Sequence, residues 1–525
     1  MRRLAVALVC ALGAISCGRF SCATIQASCT DDQDCPSGYR CETQSLLCFR
    51  DDRGRSDAAA GDLDGSTATD RVLATDAATA GDLAPANDTA ASADVQPADD
   101  AAIPRDATVP ADALMSNDAT AADSSIFDGS TAVNVIIQLA AGGAHTCALL
   151  QGGVVRCWGR GAEGQLGYGN LNAIGDDTNE MPPADVEVGG TVTQITAGAY
   201  HTCALLDTGA VRCWGKGSDG QLGYGSTDSI GDTPGEMPPA DVNVGGSVIQ
   251  IAAGALHTCA LLDTRAVRCW GNGSSGQLGN VGVDSIGDAL GEMPPADVHV
   301  GSTVVRIAAG ASHTCALVAT AAVACWGNGA DGRLGYGGTQ SVGDNETPAT
   351  AGTVPVGGAV SQIAPGANHT CARLNTGGVR CWGAGAHGQL GYGNSNSIGD
   401  SVLPSAAGDV NVGDTVVQVV AGTEHTCALL SSGAVKCWGY GPLGQLGYGN
   451  GNSIGDSETP SSQVDVSLGG PVVQIATSAL HSCALLGSGE VRCWGVASDG
   501  QLGYGSTVTV GDTEPPSSRP PVLVW

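Results

Sequence analysis

The stretch His201-Thr-Cys-Ala-Leu-Leu-Asp-Thr-Gly-Ala-Val-Arg-Cys-Trp-Gly-Lys-Gly-Ser-Asp-Gly-Gln-Leu-Gly223 decides the fold. His201–Leu206 and Ala210–Gly215 read as two strands. Asp207-Thr208-Gly209 between them reads as a three-residue hairpin loop, with glycine where positive φ is needed. A hairpin centred on Thr208 sets Cys203 opposite Cys213 and Leu205 opposite Val211. Upstream, β-branched Thr191–Ile195 reads as a third strand and Asp185–Val188 as a fourth.

With few changes, this pattern recurs seven times at a period of 56 residues, without insertion or deletion. The paired cysteines are Cys147 with Cys157, Cys203 with Cys213, Cys259 with Cys269, Cys315 with Cys325, Cys371 with Cys381, Cys427 with Cys437 and Cys483 with Cys493. Four short strands in each of seven equal units predict an all-β fold, a seven-bladed β-propeller of four-stranded blades over residues 130–525. Val522–Val524 stands in register with Val186 and Val188, whereas Ser130-Thr-Ala132 fills that place in the first unit. The tail is therefore expected to supply the strand that the first blade lacks and to close the ring.

The quoted run resembles the regulator of chromosome condensation repeat, and the seven in-phase copies cover about three quarters of the chain. The resemblance implies a seven-bladed propeller used as a binding disc. The eukaryotic founder of that family is a nucleotide exchange factor for a small nuclear GTPase, and bacterial members include a β-lactamase inhibitor. No insertion here resembles an exchange wedge, and two cysteines per blade depart from the family pattern.

Composition narrows the function. Of 525 residues, 22 are basic and 52 acidic, for a net charge of −30. Such a polyanion repels phosphate backbones, so no nucleic-acid partner is expected. Residues 1–16, a basic start followed by a short apolar run, read as a signal peptide. Ala14-Ile15-Ser16-Cys17 resembles a lipobox and makes Cys17 the expected lipidation site. Residues 17–52 form a cysteine-rich segment in which Cys22, Cys29, Cys35, Cys41 and Cys48 read as a disulfide knot. Five is an odd number, and six pair evenly only if Cys17 is not lipidated. Residues 53–129, rich in Asp, Ala and Thr, bury too little to fold and read as a disordered acidic linker. The expected location is the outer membrane or cell surface if Cys17 carries lipid, and otherwise the medium. Membrane attachment would be by lipid anchor only.

An exported chain with directly opposed cysteines predicts one cross-strand disulfide per blade. The rival reading is metal binding, because His201, Cys203 and Cys213 share one sheet face. The recurring Asp176, Asp232, Asp288, Asp344, Asp400, Asp456 and Asp512 are expected to cap a turn or to pair with Arg156, Arg212, Arg268, Arg380 and Arg492. They lack the spacing of an EF-hand loop, which leaves calcium as the weaker alternative. No triad or phosphate loop is visible, so neither catalysis nor a cofactor is expected.

Function is expected where the units differ. Those positions lie just before each repeated His and two residues after each Trp, and Tyr200, Lys216, Glu424 and Tyr440 are the candidate contacts. The expected protein is a monomeric, surface-tethered scaffold that binds an extracellular or periplasmic protein or glycan. The alternatives are a secreted enzyme with a site at the propeller mouth and exchange activity implied by the resemblance.

Overall fold

The computed structural model describes the strands Tyr39–Glu42 and Leu47–Arg50, and then residues 135–525. The expected signal peptide, Cys17, the acidic linker and most of the cysteine-rich segment lie outside the described residues. The two early strands form an antiparallel hairpin whose register sets Cys41 opposite Cys48.

Residues 135–525 form seven antiparallel three-stranded sheets, each made of consecutive strands. In the second blade these are Val192–Ala197 (inner), His201–Leu206 (middle) and Val211–Gly215 (outer). The register pairs Cys203 with Cys213 and Leu205 with Val211, as the hairpin reading requires. Gly209 takes φ 81° in the connecting loop. Arg265 and Ala321 hold the same left-handed conformation in the next two blades without being glycine. Among the described residues no helix is long and apolar enough to cross a membrane.

The expected fourth strand is reduced to a single rung. Val186 N–H donates to Val155 O (2.8 Å), but Val188 N–H turns back to Val186 O (2.9 Å). That local bond replaces the next rung of a ladder, and Pro182 and Pro183 upstream have no N–H to give. Each rung also ties the segment to the blade before it in sequence, so every blade is one continuous stretch. Val522 N–H accordingly donates to Val491 O of the last blade, not to the first. The expectation that the tail completes the first blade is corrected on this point.

The ring closes all the same, through side chains. Trp158 Nε1 donates to Gln501 O (3.0 Å), just as Trp214 Nε1 donates to Gln165 O (3.0 Å) between the first two blades. Leu139 N–H donates to Gln474 Oε1, matching Ile195 N–H to Gln138 Oε1. Arg156 Nη1 donates to Val524 O (2.7 Å), and Arg212 Nη1 to Val188 O (2.8 Å). The last-to-first interface therefore repeats the bonds of an ordinary one. The seven repeat tryptophans fill the spaces between blades and are fully buried.

Candidate binding rim

Each repeated His follows a short inner-to-middle loop, and its ring carries a hydrogen bond to the next blade. His145 Nε2 meets Thr202 Oγ1 (2.9 Å), and Thr202 Oγ1 donates to Gln165 O (2.9 Å). A hydroxyl that gives its proton to a carbonyl can only accept from the ring, so Nε2 carries the hydrogen. The arrangement continues through His201–Thr258, His257–Thr314, His313–Thr370, His369–Thr426 and His425–Ser482. His481 to Thr146 (2.8 Å) completes the circle. Burial holds these histidines neutral, pushing His145, His257 and His425 down to about 4. His201, His369 and His481 are lowered to about 3, also chiefly by burial. Six Nδ1 atoms have no hydrogen-bond partner; the seventh, on His481, meets Ser478 Oγ at 2.7 Å.

The structure joins all seven cysteine pairs expected from the hairpin reading. Cys147 bonds to Cys157, Cys203 to Cys213, Cys259 to Cys269 and Cys315 to Cys325. Cys371 bonds to Cys381, Cys427 to Cys437 and Cys483 to Cys493. In every case the Cα atoms stand 4.0–4.1 Å apart, directly opposed on the middle and outer strands. The metal reading loses its ligands in this arrangement. Cys203 and Cys213 are bonded to each other, and His201 Nε2 is engaged by Thr258. Among the described residues no group of three His, Cys, Asp or Glu is placed to hold a metal ion.

The recurring aspartates do not pair with the arginines. Arg156, Arg212, Arg268 and Arg380 instead reach Asp185, Asp241, Asp297 and Asp409 at 2.6–2.7 Å. These partners follow the arginines in the reduced fourth segment, at the blade edge where the guanidinium emerges. Asp344, Asp400 and Asp512 accept the next backbone N–H, which is the turn-capping role. Asp232 and Asp288 lie against Glu236 and Glu292, and burial together with those carboxylates raises their pKa values.

On this frame the variable positions meet. Lys216 N–H donates to Tyr200 O (2.9 Å) and Tyr440 N–H to Glu424 O (2.8 Å). The same bond joins Arg160 to Ala144, Asn272 to Leu256, Asn328 to Ser312, Ala384 to Asn368 and Val496 to Leu480. The two positions read separately from the sequence are therefore one pair per blade, seven pairs around one rim. Rim positions 144, 200 and their equivalents directly precede the buried histidines. Small residues such as Gly142, Gly198 and Gly254 leave a shallow depression of about 160 Å³ at the axis inside the rim.

All four candidate contacts sit in two clusters. Lys216 Nζ lies 5.6 Å from the Tyr200 ring centroid and 3.4 Å from Asp219. Burial opposes ionisation of Asp219, but hydrogen bonds from Ser218 and Asn272 and the Lys216 ammonium hold its carboxyl below the ordinary range. Across the ring, His387 stacks edge-on against Tyr440 (centroids 5.1 Å apart) and its Nε2 is 3.6 Å from Glu424. His387 has ordinary neighbours along the chain, and the sequence did not reveal that the next blade brings Glu424 and Tyr440 to it. A third variable position, two residues before the Gln of each Gly-Gln-Leu-Gly, was missed in the same way. Asp219, His387 and Asp499 occupy it, and each reaches the rim pair of the following blade.

Residues 116–452 match the RCC1-like domain, and residues 472–501 match the regulator of chromosome condensation (RCC1) repeat. The ultraviolet-B receptor UVR8 of Arabidopsis thaliana is 32% identical over 376 residues, covering 71% of this chain and 80% of that protein. The mitochondrial RCC1 domain-containing protein RUG3 of the same plant is 30% identical, covering 66% and 78%. Among solved structures, human WBSCR16 superposes with a TM-score of 0.55 at 22% identity, covering 70% of this chain and 92% of that one. Prp20p of Saccharomyces cerevisiae gives 0.52 at 22%, covering 66% and 82%. With seven closed blades and a matched domain spanning more than half its length, the chain belongs to the RCC1-like domain family.

Proposed function

We propose that this propeller is a non-catalytic binding head displayed outside the cell, and that its rim engages a protein partner. The observation that carries the reading is the pairing of variable positions. Fourteen side chains released from the repeat rule are gathered on one edge, over a rigid, disulfide-bonded frame. Aromatic and charged anchors of the kind that dominate protein interfaces stand there as Tyr200, Lys216, Glu424, Tyr440 and His387. Display outside the cell is supported by seven intrablade disulfides, which persist in oxidising compartments. The signal-like residues 1–16 and the lipobox-like Cys17 point the same way.

The test is capture from a native envelope fraction with full-length protein, comparing wild type with a Lys216→Ala, Tyr440→Ala double variant. A partner retained by wild type and lost by the variant supports the rim. Equal retention by both refutes it. Recovery of untagged protein from cytosol with an intact N-terminus refutes the display.

A further inference from the structure

Six of the seven blades clamp the outer strand with a tyrosine, and the third does not. The phenol oxygens of Tyr168, Tyr224, Tyr336, Tyr392, Tyr448 and Tyr504 each accept the N–H of the outer-strand cysteine, Cys157 in the first blade. Each hydroxyl also reaches the carbonyl of that same cysteine, and all these contacts fall at 2.9–3.2 Å. The register explains why those groups are presented there. Opposed cysteines stand with Cα atoms 4.1 Å apart, in the third blade as in the second, which is the close spacing of a pair that exchanges no ladder bonds. The N–H and C=O of the outer cysteine therefore point off the edge of the blade.

In the third blade the clamping position is Asn280. Asparagine lacks the ring. Its Oδ1 is buried but accepts no hydrogen bond, so it does not stand in for the phenol oxygen at Cys269 N–H. The walls keep the geometry of the other blades. Gly271 N–H donates to Ile286 O (2.7 Å) and Val298 N–H to Val267 O (2.8 Å), as Gly215 donates to Ile230 (2.7 Å) and Val242 to Val211 (2.8 Å) around Tyr224. Val281 follows with φ 61°, where Gly169 and Gly225 take 67° and 70°. A valine is strained there, yet the turn holds its course. The chain has not closed over the place of the ring. Cys269 is 2% exposed, whereas the other six outer-strand cysteines are 0% exposed.

We propose that this notch in the third blade is a binding site for a phenol group, seated as Tyr224 is seated one blade earlier. The ring covers apolar surface at Leu278 and Val298, the counterparts of Leu222 and Val242 in the core that Tyr224 packs against. The hydroxyl meets the Cys269 main chain as both acceptor and donor, a pairing that an ether or a plain ring cannot make. The site is separate from the rim contacts and does not depend on them. Cys269 lies three residues before the rim residue Asn272, roughly 10 Å along an extended chain. A tyrosine side chain of a partner and a free phenol share this chemistry, and two probes separate them.

Full-length protein is titrated with p-cresol, the side-chain analogue of tyrosine, and with N-acetyltyrosinamide, followed by calorimetry and thermal shift. Wild type is expected to bind p-cresol saturably at one site, with a dissociation constant on the order of 1 mM. The ether p-methylanisole keeps the ring but loses the O–H, and is expected to bind at least about threefold more weakly. Asn280→Tyr supplies the phenol from the chain itself, and is expected to melt higher and to lose the p-cresol site. The Lys216→Ala, Tyr440→Ala double variant is expected to bind p-cresol as wild type does, so failure of the rim reading leaves this site standing. Binding of both probes assigns the notch to a tyrosine side chain, and binding of p-cresol alone assigns it to a free phenol. No saturable p-cresol binding by wild type, or equal binding by Asn280→Tyr, overturns the proposal.

Discussion

Lowering the pH from 7.5 to 5.5 should remove much of the ring's stability, because seven histidines are locked neutral in one closed belt. Each donates from Nε2 to a hydroxyl of the next blade and is fully buried. Burial depresses their pKa values to about 3 or 4, with His313 well below the ordinary value. In the unfolded chain each titrates near 6.5. A depressed base favours the fold above its unfolded pKa, and that advantage is lost as pH falls toward the folded pKa. Between those limits the unfolded state binds more protons, so stability rises with pH. One unit below 6.5, each histidine has given up a little over 1 kcal/mol, and seven give up on the order of 10 kcal/mol. That is comparable to the whole margin of an ordinary domain. Asp232 and Asp288, whose values burial and the neighbouring carboxylates raise, act in the opposite direction.

The measurement is urea unfolding of the oxidised protein at pH 7.5, 6.5 and 5.5, with proton uptake taken from the slope of stability against pH. Uptake approaching seven protons near pH 5.5 is expected. A stability that stays flat within about 1 kcal/mol, or uptake below two protons, would refute the reasoning. Either result would mean that the histidines are hydrated or that Nε2 is not the protonated nitrogen.

Other substitutions read the repeat against itself. Ala321→Gly should stabilise by about 1 kcal/mol in thermal unfolding, because Ala321 holds φ 61° where Gly209 holds 81°. Asn280 stands where Tyr168 and Tyr224 clamp the main chain of the outer strand, and its buried Oδ1 has no partner. Asn280→Tyr should therefore raise stability by about 1 kcal/mol. The double change Cys203→Ser, Cys213→Ser should lower it by about 2–3 kcal/mol, measured by urea unfolding, since the bridge closes a loop of 10 residues. Deleting residues 522–525 removes the acceptor of Arg156 and the rung to Val491, and should lower the melting temperature more than Arg156→Ala alone.

The period, the strands and the Cys203–Cys213 register were legible because each is local: a hairpin of fixed loop length admits one pairing. The direction in which a blade's edge segment pairs was not legible. Asp185–Val188 lies between the outer strand of the first blade, Val154–Gly159, and that of the second, Val211–Gly215, at similar sequence distances, and only the Val186–Val155 bond decides between them. The rim shows the same limit. Tyr200 and Lys216 lie 16 residues apart and announce nothing jointly until the outer strand returns beside the loop. Glu424 and His387, 37 residues apart on different blades, are further from any local signal.

What was legible about function was the place to look. A ring of seven identical blades presents every surface seven times, and a partner without that symmetry can be oriented only by the departures from it. Those at the rim, such as Tyr200, Lys216, His387 and Tyr440, project from loops whose backbone is held by the histidine belt and the disulfides, so they vary without cost to the fold. Affinity at the rim must therefore come from the contacts that those side chains make with a partner.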